Sequence, residues 1–443
     1  MSTLSNRFQS HERPSVYAID FGTTNSLIAA ANSTTWVRAL PIDPGASDPT
    51  VFRSILHFDF EGRASFGARA LERYRQLGMQ GRLVRSLKRH LPSKSFVTTE
   101  VDGKSYRLEE LVGGILRALR ERANAHFDCD VTRVLLGRPA RFSEDPADDA
   151  LAEARLTEAA RLAGFTQISL CPEPLAAAYD FQEHLAEPKL VMIADLGGGT
   201  SDFSLIRMSR HGYRDEDVLG TGGVSVAGDA LDGALMQHHI ARHFGAHARY
   251  RAPFGKNELT MPLSLVHKLY SSVDMSLLSQ REVLEFLRRV RDFSVSEPDR
   301  AAVERLLVAA EDALGFHVYE AIEHVKRELA EPAPGLGGGS AGATFHFDYP
   351  EVTISETVDG TQFEVATQKA VAAIVQSVED LLERAQTPAV DVDVLCCTGG
   401  TAKVHLIANR LRALFPNAQL HSLSSFRAVV DGLARRAQQQ LHG

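Results

Sequence analysis

Residues 190–206 read LVMIADLGGGTSDFSLI: an aliphatic run, an aspartate, three glycines, a threonine, a second aspartate and another apolar run. Short apolar runs bounded by glycine read as buried strands, so the stretch predicts two strands joined by a tight turn, with Asp195 before it and Asp202 after it. A second stretch repeats the order. In YAIDFGTTNSLIAA (17–30) an aliphatic strand ends at Asp20, a turn of Gly22, Thr23 and Thr24 follows, and an apolar strand returns. Asp20 and Asp195 are 175 residues apart. Such a pair predicts two similar sheets, each offering a hairpin whose turn exposes backbone N–H groups.

The chain has 443 residues, too many for one ordinary core, which predicts a large two-lobed domain or several domains. Hydrophobic residues make up 44%, charged residues 23%, and the net charge is −8, so no electrostatic footprint for nucleic acid exists. The first fifteen residues are polar and no run of about 18 apolar residues occurs, which predicts a soluble cytoplasmic protein without membrane contact. Cys396 and Cys397 are adjacent while Cys129 and Cys171 stand alone, so neither a disulfide framework nor a zinc spacing is present.

Outward from the two turns, TTWVRALP reads as a third strand, and VTRVLLGRP (131–139) as another. The segments at 108–127 and 151–165 repeat apolar residues at helical spacing, the second closed by Gly164. Strands alternating with helices predict an α/β sheet. VDGK (101–104) and VDGT (358–361) carry the Asp-Gly signal of a β-hairpin. From about 232 to 330 the sequence is charged and helical, as an inserted helical subdomain would be, and 332–342 reads as a flexible loop. The chain closes with strand DVDVLCC, a helix over 402–415 and a last helix running to Gly443.

The chemistry of the repeated turn points to a polyphosphate. Glycine lets the backbone approach a phosphate, threonine adds hydroxyl donors, and aspartates at strand ends can hold Mg²⁺ through water. Either copy alone equally fits a tight hairpin that binds nothing; two copies with matched aspartates argue for a clamp.

At these residues the sequence resembles the actin and sugar-kinase ATPase superfamily, and more closely the seventy-kilodalton heat-shock (DnaK-like) chaperones. Further motifs follow in that family's order. SLKRHLP (86–92) is similar to a segment that places Lys88 at the family's phosphate-contacting lysine. CPEPLAAAYDF (171–181) resembles its connecting motif and gives Glu173 an acidic role near metal and water. VAGDALDGAL (226–235) resembles the segment that opens the helical subdomain. EHVKREL (323–329) is similar to the adenosine-contacting helix, with Glu323, Lys326 and Arg327 at i, i+3 and i+4 on one face. CTGGTAKVHLI (397–407) resembles the second adenosine motif, so Gly399 and Gly400 would approach the nucleotide and Lys403 would lie over the base.

The resemblance implies a two-lobed actin-like ATPase fold: lobe I over 15–189 with 425–443 returning as a closing helix, and lobe II over 190–424 carrying the insert at about 232–330. It implies an ATP- and Mg²⁺-dependent, slowly hydrolysing chaperone-like switch with a protein client or co-chaperone. Gly22, Thr23, Thr24, Gly197, Gly198 and Gly199 would cradle the phosphates, and Asp20, Asp195 and Asp202 would organise hydrated Mg²⁺. Lys88, Glu173, Asp195 and Thr200 would form the catalytic group, Lys88 neutralising γ-phosphoryl charge and Thr200 and Glu173 positioning water. Lys403 stands where the family has a stacking arginine and Phe426 where it has an aspartate; both departures bear on the base, not on the phosphates. The chain ends soon after this motif, which resembles a short YegD-like branch without a peptide-binding domain.

A metabolic kinase or exopolyphosphatase on the same fold, with Glu173 as base, is the first alternative, and a catalytically weak actin-like scaffold is the second. Outside the motifs, His239, His243 and His247 fall at i, i+4 and i+8, a spacing that fits metal ligands or, without a Glu or Cys partner, a solvated helix face. The basic run RLVRSLKRH (82–90) fits an acidic partner or a helix with a solvated face around one buried lysine. Gly338–Gly342 matches a nucleophile-elbow pattern but follows a Pro/Gly loop instead of a strand. No P-loop motif is present.

Overall fold

The computed structural model describes residues 12–441 except 79, 144, 183–184, 211–212, 253–254, 256, 331–341 and 423–426. Two sheets carry the architecture. The first contains β1 (Val16–Phe21), β2 (Asn25–Ala31), β3 (Trp36–Val37), β4 (Arg133–Arg138) and β5 (Gln167–Pro172) in the order β5-β4-β1-β2-β3; a short strand Phe52–Arg53 also pairs with β2. The second contains β6 (Lys189–Leu196), β7 (Ser201–Met208), β8 (Val218–Val224), β9 (Val394–Thr398) and β10 (Gln419–Ser422) in the order β8-β7-β6-β9-β10. Each sheet is built alike. Its first strand pairs antiparallel with the second and parallel with the fourth, and the fifth pairs parallel beyond that. The repeat read from the sequence is therefore a repeat of topology, and the fold is the α/β actin-like type expected.

Strand β1 shows why these runs are apolar throughout. Tyr17, Ile19 and Phe21 enter one core with the helices Leu108–Phe127 and Pro146–Leu162, while Val16 and Ala18 enter a second. A central strand with helices on both faces of its sheet must bury both of its sides. The second core holds Ala18 and Leu135 from the first sheet, Val191, Ile193, Ile206 and Cys396 from the second, and the helices Glu173–Phe181 and Ala428–Gln440. These two helices touch through small residues: Ala176, Ala177 and Ala178 are fully buried, and a side chain at Gly432 would collide with the Ala176 carbonyl oxygen. Close helix approach needs such residues because any Cβ–backbone clash forces the axes apart.

By compactness the chain divides into two units: residues 1–225, 374–402 and 410–443, and residues 226–373 and 403–409. The first holds both large sheets. The second holds the helices Gly228–Leu235, Leu263–Leu269, Arg281–Asp292, Glu297–Glu311 and Gly315–Ala330, a hairpin Ala343–Tyr349/Val352–Val358, and a short two-stranded pair Arg249–Arg251/Glu258–Thr260 that interrupts the helical stretch.

Several local expectations are corrected. VDGK is a hairpin turn, with Asp102 and Gly103 both at positive φ between Thr98–Val101 and Lys104–Arg107. VDGT is not: Val358 ends a strand and Gly360 begins the helix Gly360–Arg384. There Asp359 Oδ1 accepts from Gln362 N–H at 2.8 Å and Gln362 Oε1 accepts from Asp359 N–H at 3.0 Å, so the aspartate caps a helix. The hairpin of this region turns one strand earlier, at Glu351 with φ 69°. The basic run 82–90 is a strand, Arg82–Arg85, followed by a 3₁₀ turn Leu87–His90, not one helix.

The helix expected over 151–165 runs from Pro146 to Leu162, capped by Asp145, whose side chain accepts from Ala147 and Asp148 N–H. The third strand shortens to Trp36–Val37, and the segment 402–415 is a 3₁₀ turn, Thr401–Lys403, followed by the helix His405–Leu414. The last helix is Ala428–Gln440. The flexible-loop reading at 332–342, the elbow pattern save Gly342, and Phe426 lie outside the described residues. Among the described residues no helix is long and apolar enough to cross a membrane.

Candidate functional site

The two hairpin turns meet within the first unit. Both follow strands of equal place in their sheets, Asp20 one residue before the end of β1 and Asp195 one residue before the end of β6. In the β1–β2 turn, a Cβ on Gly22 would collide with the Asn25 carbonyl oxygen, so the tight return to β2 requires glycine. In the β6–β7 turn, Gly197 N–H donates to the Thr200 carbonyl at 2.9 Å, closing the loop around Gly198 and Gly199. A methyl group on Gly199 would stand 3.3 Å from Thr23 Oγ1 and 3.6 Å from Arg89 Cγ. The two Gly/Thr turns thus face each other at van der Waals distance.

Beneath them lies one buried cation. Lys88 Nζ donates to Glu173 Oε1 at 2.6 Å, with both side chains 8% exposed. The 3₁₀ turn Leu87–His90 sets Lys88 inward, and Glu173 begins the helix after β5. Gly137 of β4 leaves room for it: a Cβ there would stand 3.2 Å from Glu173 Cγ. Three aspartates share this charge. Burial, then the Glu173 carboxylate, push Asp20 up to about 7 against the pull of Lys88. Burial and Glu173 likewise push Asp202 up to about 7, although the Thr200 hydroxyl, Lys88 and the Ala140 N–H, which donates at 2.8 Å, all favour its charge.

Asp195 is held well above the carboxylate range by burial, then by Glu173, Asp202 and Asp20. Burial opposes the charge on Lys88, but Glu173, Asp20 and Asp202 together raise its pKa. Among the charged groups that shift these aspartates, Lys88 is the one cation and the rest are carboxylates.

The donor set tests whether Mg²⁺ fits. All of the surplus charge is carboxylate oxygen, the hard donor that Mg²⁺ takes. Among the described residues no three acidic, His or Cys side chains are grouped so as to grip an ion directly. An ion that keeps several of its waters and meets carboxylates through them suits that arrangement.

Gly399 and Gly400 follow β9 in the same unit. Gly399 has φ 89°, and a Cβ there would collide with the Leu196 carbonyl oxygen, so this turn rests directly on the end of β6. Thr401 Oγ1 donates to the Gly197 carbonyl at 2.6 Å, tying the same turn to the β6–β7 loop. Thr401 was not singled out in the sequence; its place directly after Gly399 and Gly400 was the available signal.

The remaining residues belong to the second unit. Lys326 Nζ donates to Asp232 Oδ2 at 2.8 Å and to the Gly228 carbonyl at 3.3 Å. Glu323 and Arg327 form a loose pair at 3.9 Å on the exposed side of the same helix. His405 Nδ1 lies 2.6 Å from the Ala330 carbonyl, so the segment bearing Lys403 joins the end of the helix bearing Lys326. The histidine row does not share a helical face: the helix passes into a π turn at Met236–Ile240 and a 3₁₀ turn at Ala241–Phe244, and Gly245, at φ 72°, ends it before His247. His243 instead pairs with Glu356 at 3.0 Å.

The chain is similar in sequence to known proteins. The family described as "Hsp70 protein" matches residues 80–254, which include Lys88, Glu173, Asp195 and both sides of the β6–β7 turn. The chaperone protein HscA homolog of Pseudomonas aeruginosa (strain LESB58) is 34% identical over 249 residues, covering 51% of this chain and 37% of that protein. The HscA homologs of Vibrio parahaemolyticus and Vibrio campbellii are 29% and 28% identical, covering 58% and 69% of this chain and 42% and 51% of theirs. The chain matches from about a third to half of the length of these curated relatives. The two alike sheets and their facing Gly/Thr turns give the chain an actin-like fold. Over residues 80–254 the chain is similar to the Hsp70 family, and over a wider span to the HscA homologs.

Proposed function

We propose that the protein binds Mg²⁺–ATP and hydrolyses it slowly, as a nucleotide-dependent switch of chaperone type in the cytoplasm. The observation that carries this reading is the buried Lys88–Glu173 pair beneath two facing Gly/Thr turns. Backbone N–H groups of Gly22, Thr23 and Thr24 and of Gly197, Gly198 and Gly199 would receive the β- and γ-phosphates, because turns of this kind present several donors to one anion.

Lys88 would meet the charge that spreads over the γ-phosphoryl oxygens, and its bond to Glu173 fixes it in place at no cost in the reaction itself. Thr200 and the free oxygen of Glu173 would orient the attacking water. Asp20, Asp195 and Asp202 would hold Mg²⁺ through its waters; when bound, the ion supplies charge neutralisation on the phosphates. Catalysis by placement and electrostatics without a covalent step is the pattern of phosphoryl transfer.

Gly399, Gly400 and Lys403, with Glu323, Lys326 and Arg327, would contact adenosine. Lobe I over 15–189 with 425–443, and lobe II over 190–424, remain our division of the chain for this cycle. Contacts to the γ-phosphate exist only before hydrolysis, so the two nucleotide states would favour different arrangements. The relatives are chaperones by name; a protein client or co-chaperone is the corresponding partner here. Glu173 is engaged by Lys88, which favours water over a small acceptor as the nucleophile.

Titration calorimetry with Mg-ATP and Mg-ADP, followed by phosphate release without added acceptor, tests the reading. Binding by the wild type, with release lost in Lys88→Ala, is expected. No binding of either nucleotide overturns it.

A further inference from the structure

Within the second unit, Asp232 is a buried carboxylate that the proposed chemistry does not use. It sits on the helix Gly228–Leu235, 7% exposed, with Oδ2 accepting from Lys326 and Oδ1 buried without any hydrogen-bond partner. Lys326 is held by two groups of that helix, Asp232 Oδ2 at 2.8 Å and the Gly228 carbonyl at 3.3 Å. An ammonium has three N–H donors. Two are spent on one end of one helix, which fixes the lysine's four-carbon stem and leaves a third donor in a set direction.

A lysine stem free to rotate loses rotamer entropy when it is fixed on a ligand. The Asp232 contact spends that entropy beforehand.

We infer that Asp232 is a positioning residue for Lys326, presetting the lysine for the adenosine end of the nucleotide and making that half of the affinity depend on proton binding. The inference rests on the nucleotide reading above.

The groups that act on Asp232 are few. Lys326 and Glu323 act on its charge from the helix Gly315–Ala330, and Asp229 from its own helix. A Cβ on the next residue, Gly233, would strike the Tyr270 carbonyl. Burial pushes Asp232 up to about 7 even with Lys326 beside it, and Asp229 and Glu323 add to that direction. Between pH 8 and pH 6 the carboxylate therefore takes up its proton and its charge-assisted hold on Lys326 weakens.

The test must separate this from the carboxylates around Lys88, which titrate in the same range. Mg-ADP and Mg-tripolyphosphate serve as paired probes, since the second has no adenosine end. Calorimetry at pH 6 and pH 8 with wild type, Asp232→Asn and Lys326→Gln reads the difference; Asn keeps the size and one acceptor, and thermal melting confirms each fold.

At pH 8, Asp232→Asn should weaken Mg-ADP about 5-fold to 10-fold, in the range of positioning effects, and leave tripolyphosphate unchanged. From pH 8 to pH 6, wild type should lose more ADP affinity than tripolyphosphate affinity, and this excess should vanish in both variants. ADP binding equal to wild type in Asp232→Asn at both pH values overturns the inference, as does equal loss of both probes. Wild-type protein that binds neither probe overturns the nucleotide reading itself, and the inference with it.

Discussion

Thr23 Oγ1 of the first Gly/Thr turn lies against Gly199 of the second, so close that a methyl group on Gly199 would stand 3.3 Å away. Residues 176 positions apart in sequence thus stand at contact distance. The contact leaves room for hydrogen but not comfortably for carbon.

Gly199→Ala should therefore fold, since Thr23 needs to give by only a few tenths of an ångström, but lose nucleotide affinity. A larger Gly199→Val change should lose more. Calorimetry with Mg-ADP checks this; affinities equal to wild type in both variants would remove the facing turns from the binding site.

The Lys88–Glu173 pair yields a stability prediction. Removing one member of a buried ion pair leaves an uncompensated charge, at a cost of about 3 kcal/mol. Lys88→Met alone should lower unfolding free energy by about that amount, whereas Lys88→Met with Glu173→Gln should recover most of it. Urea denaturation of the nucleotide-free protein reads both, and additive losses would show that the pair is not coupled.

Asp20, Asp202 and Asp232 each stand at about 7 in the fold against 3.8 for the free side chain. The folded state binds these protons more tightly than the unfolded state. Their contribution to stability is therefore full below about pH 3.8 and is lost as pH rises through about 7. The nucleotide-free protein should melt at a lower temperature at pH 8 than at pH 6, and Asp202→Asn, which keeps an acceptor for the Ala140 N–H, should narrow that gap. An unchanged gap in the variant would contradict the assignment.

Gly432 and Gly62 form a contrast. A Cβ at Gly432 would collide with the Ala176 carbonyl oxygen, whereas Gly62, at φ 69°, has nothing within 4 Å. Gly432→Ala should cost about 3 kcal/mol or prevent folding, because two helix backbones must separate. Gly62→Ala carries only the strain of its backbone angle, about 1 kcal/mol. Comparison of thermal midpoints decides it.

These positions show how far the sequence reached. The matching places of Asp20 and Asp195 were legible because a strand that buries both faces leaves an unbroken apolar run, and a tight turn after it demands glycine. The helix Leu108–Phe127 was legible to the residue, since its apolar spacing and its Glu110 cap act locally. VDGT misled because Asp-Gly serves a hairpin and a helix start equally well; the choice was made by Gln362, which completes the cap. The histidine row misled because spacing assumes an unbroken helix, and Gly245 breaks it.

What the sequence determined by itself is therefore the order of strands and turns and the residue types that line them, properties fixed by local sterics and by which faces must avoid water. Tertiary structure alone decided that Lys88 meets Glu173 rather than solvent, that Thr23 meets Gly199, and that Lys326 is held by Asp232. Each of these depends on how two distant segments pack, and the energy of that packing is a sum over whole sheets and helices that no single stretch of residues encodes.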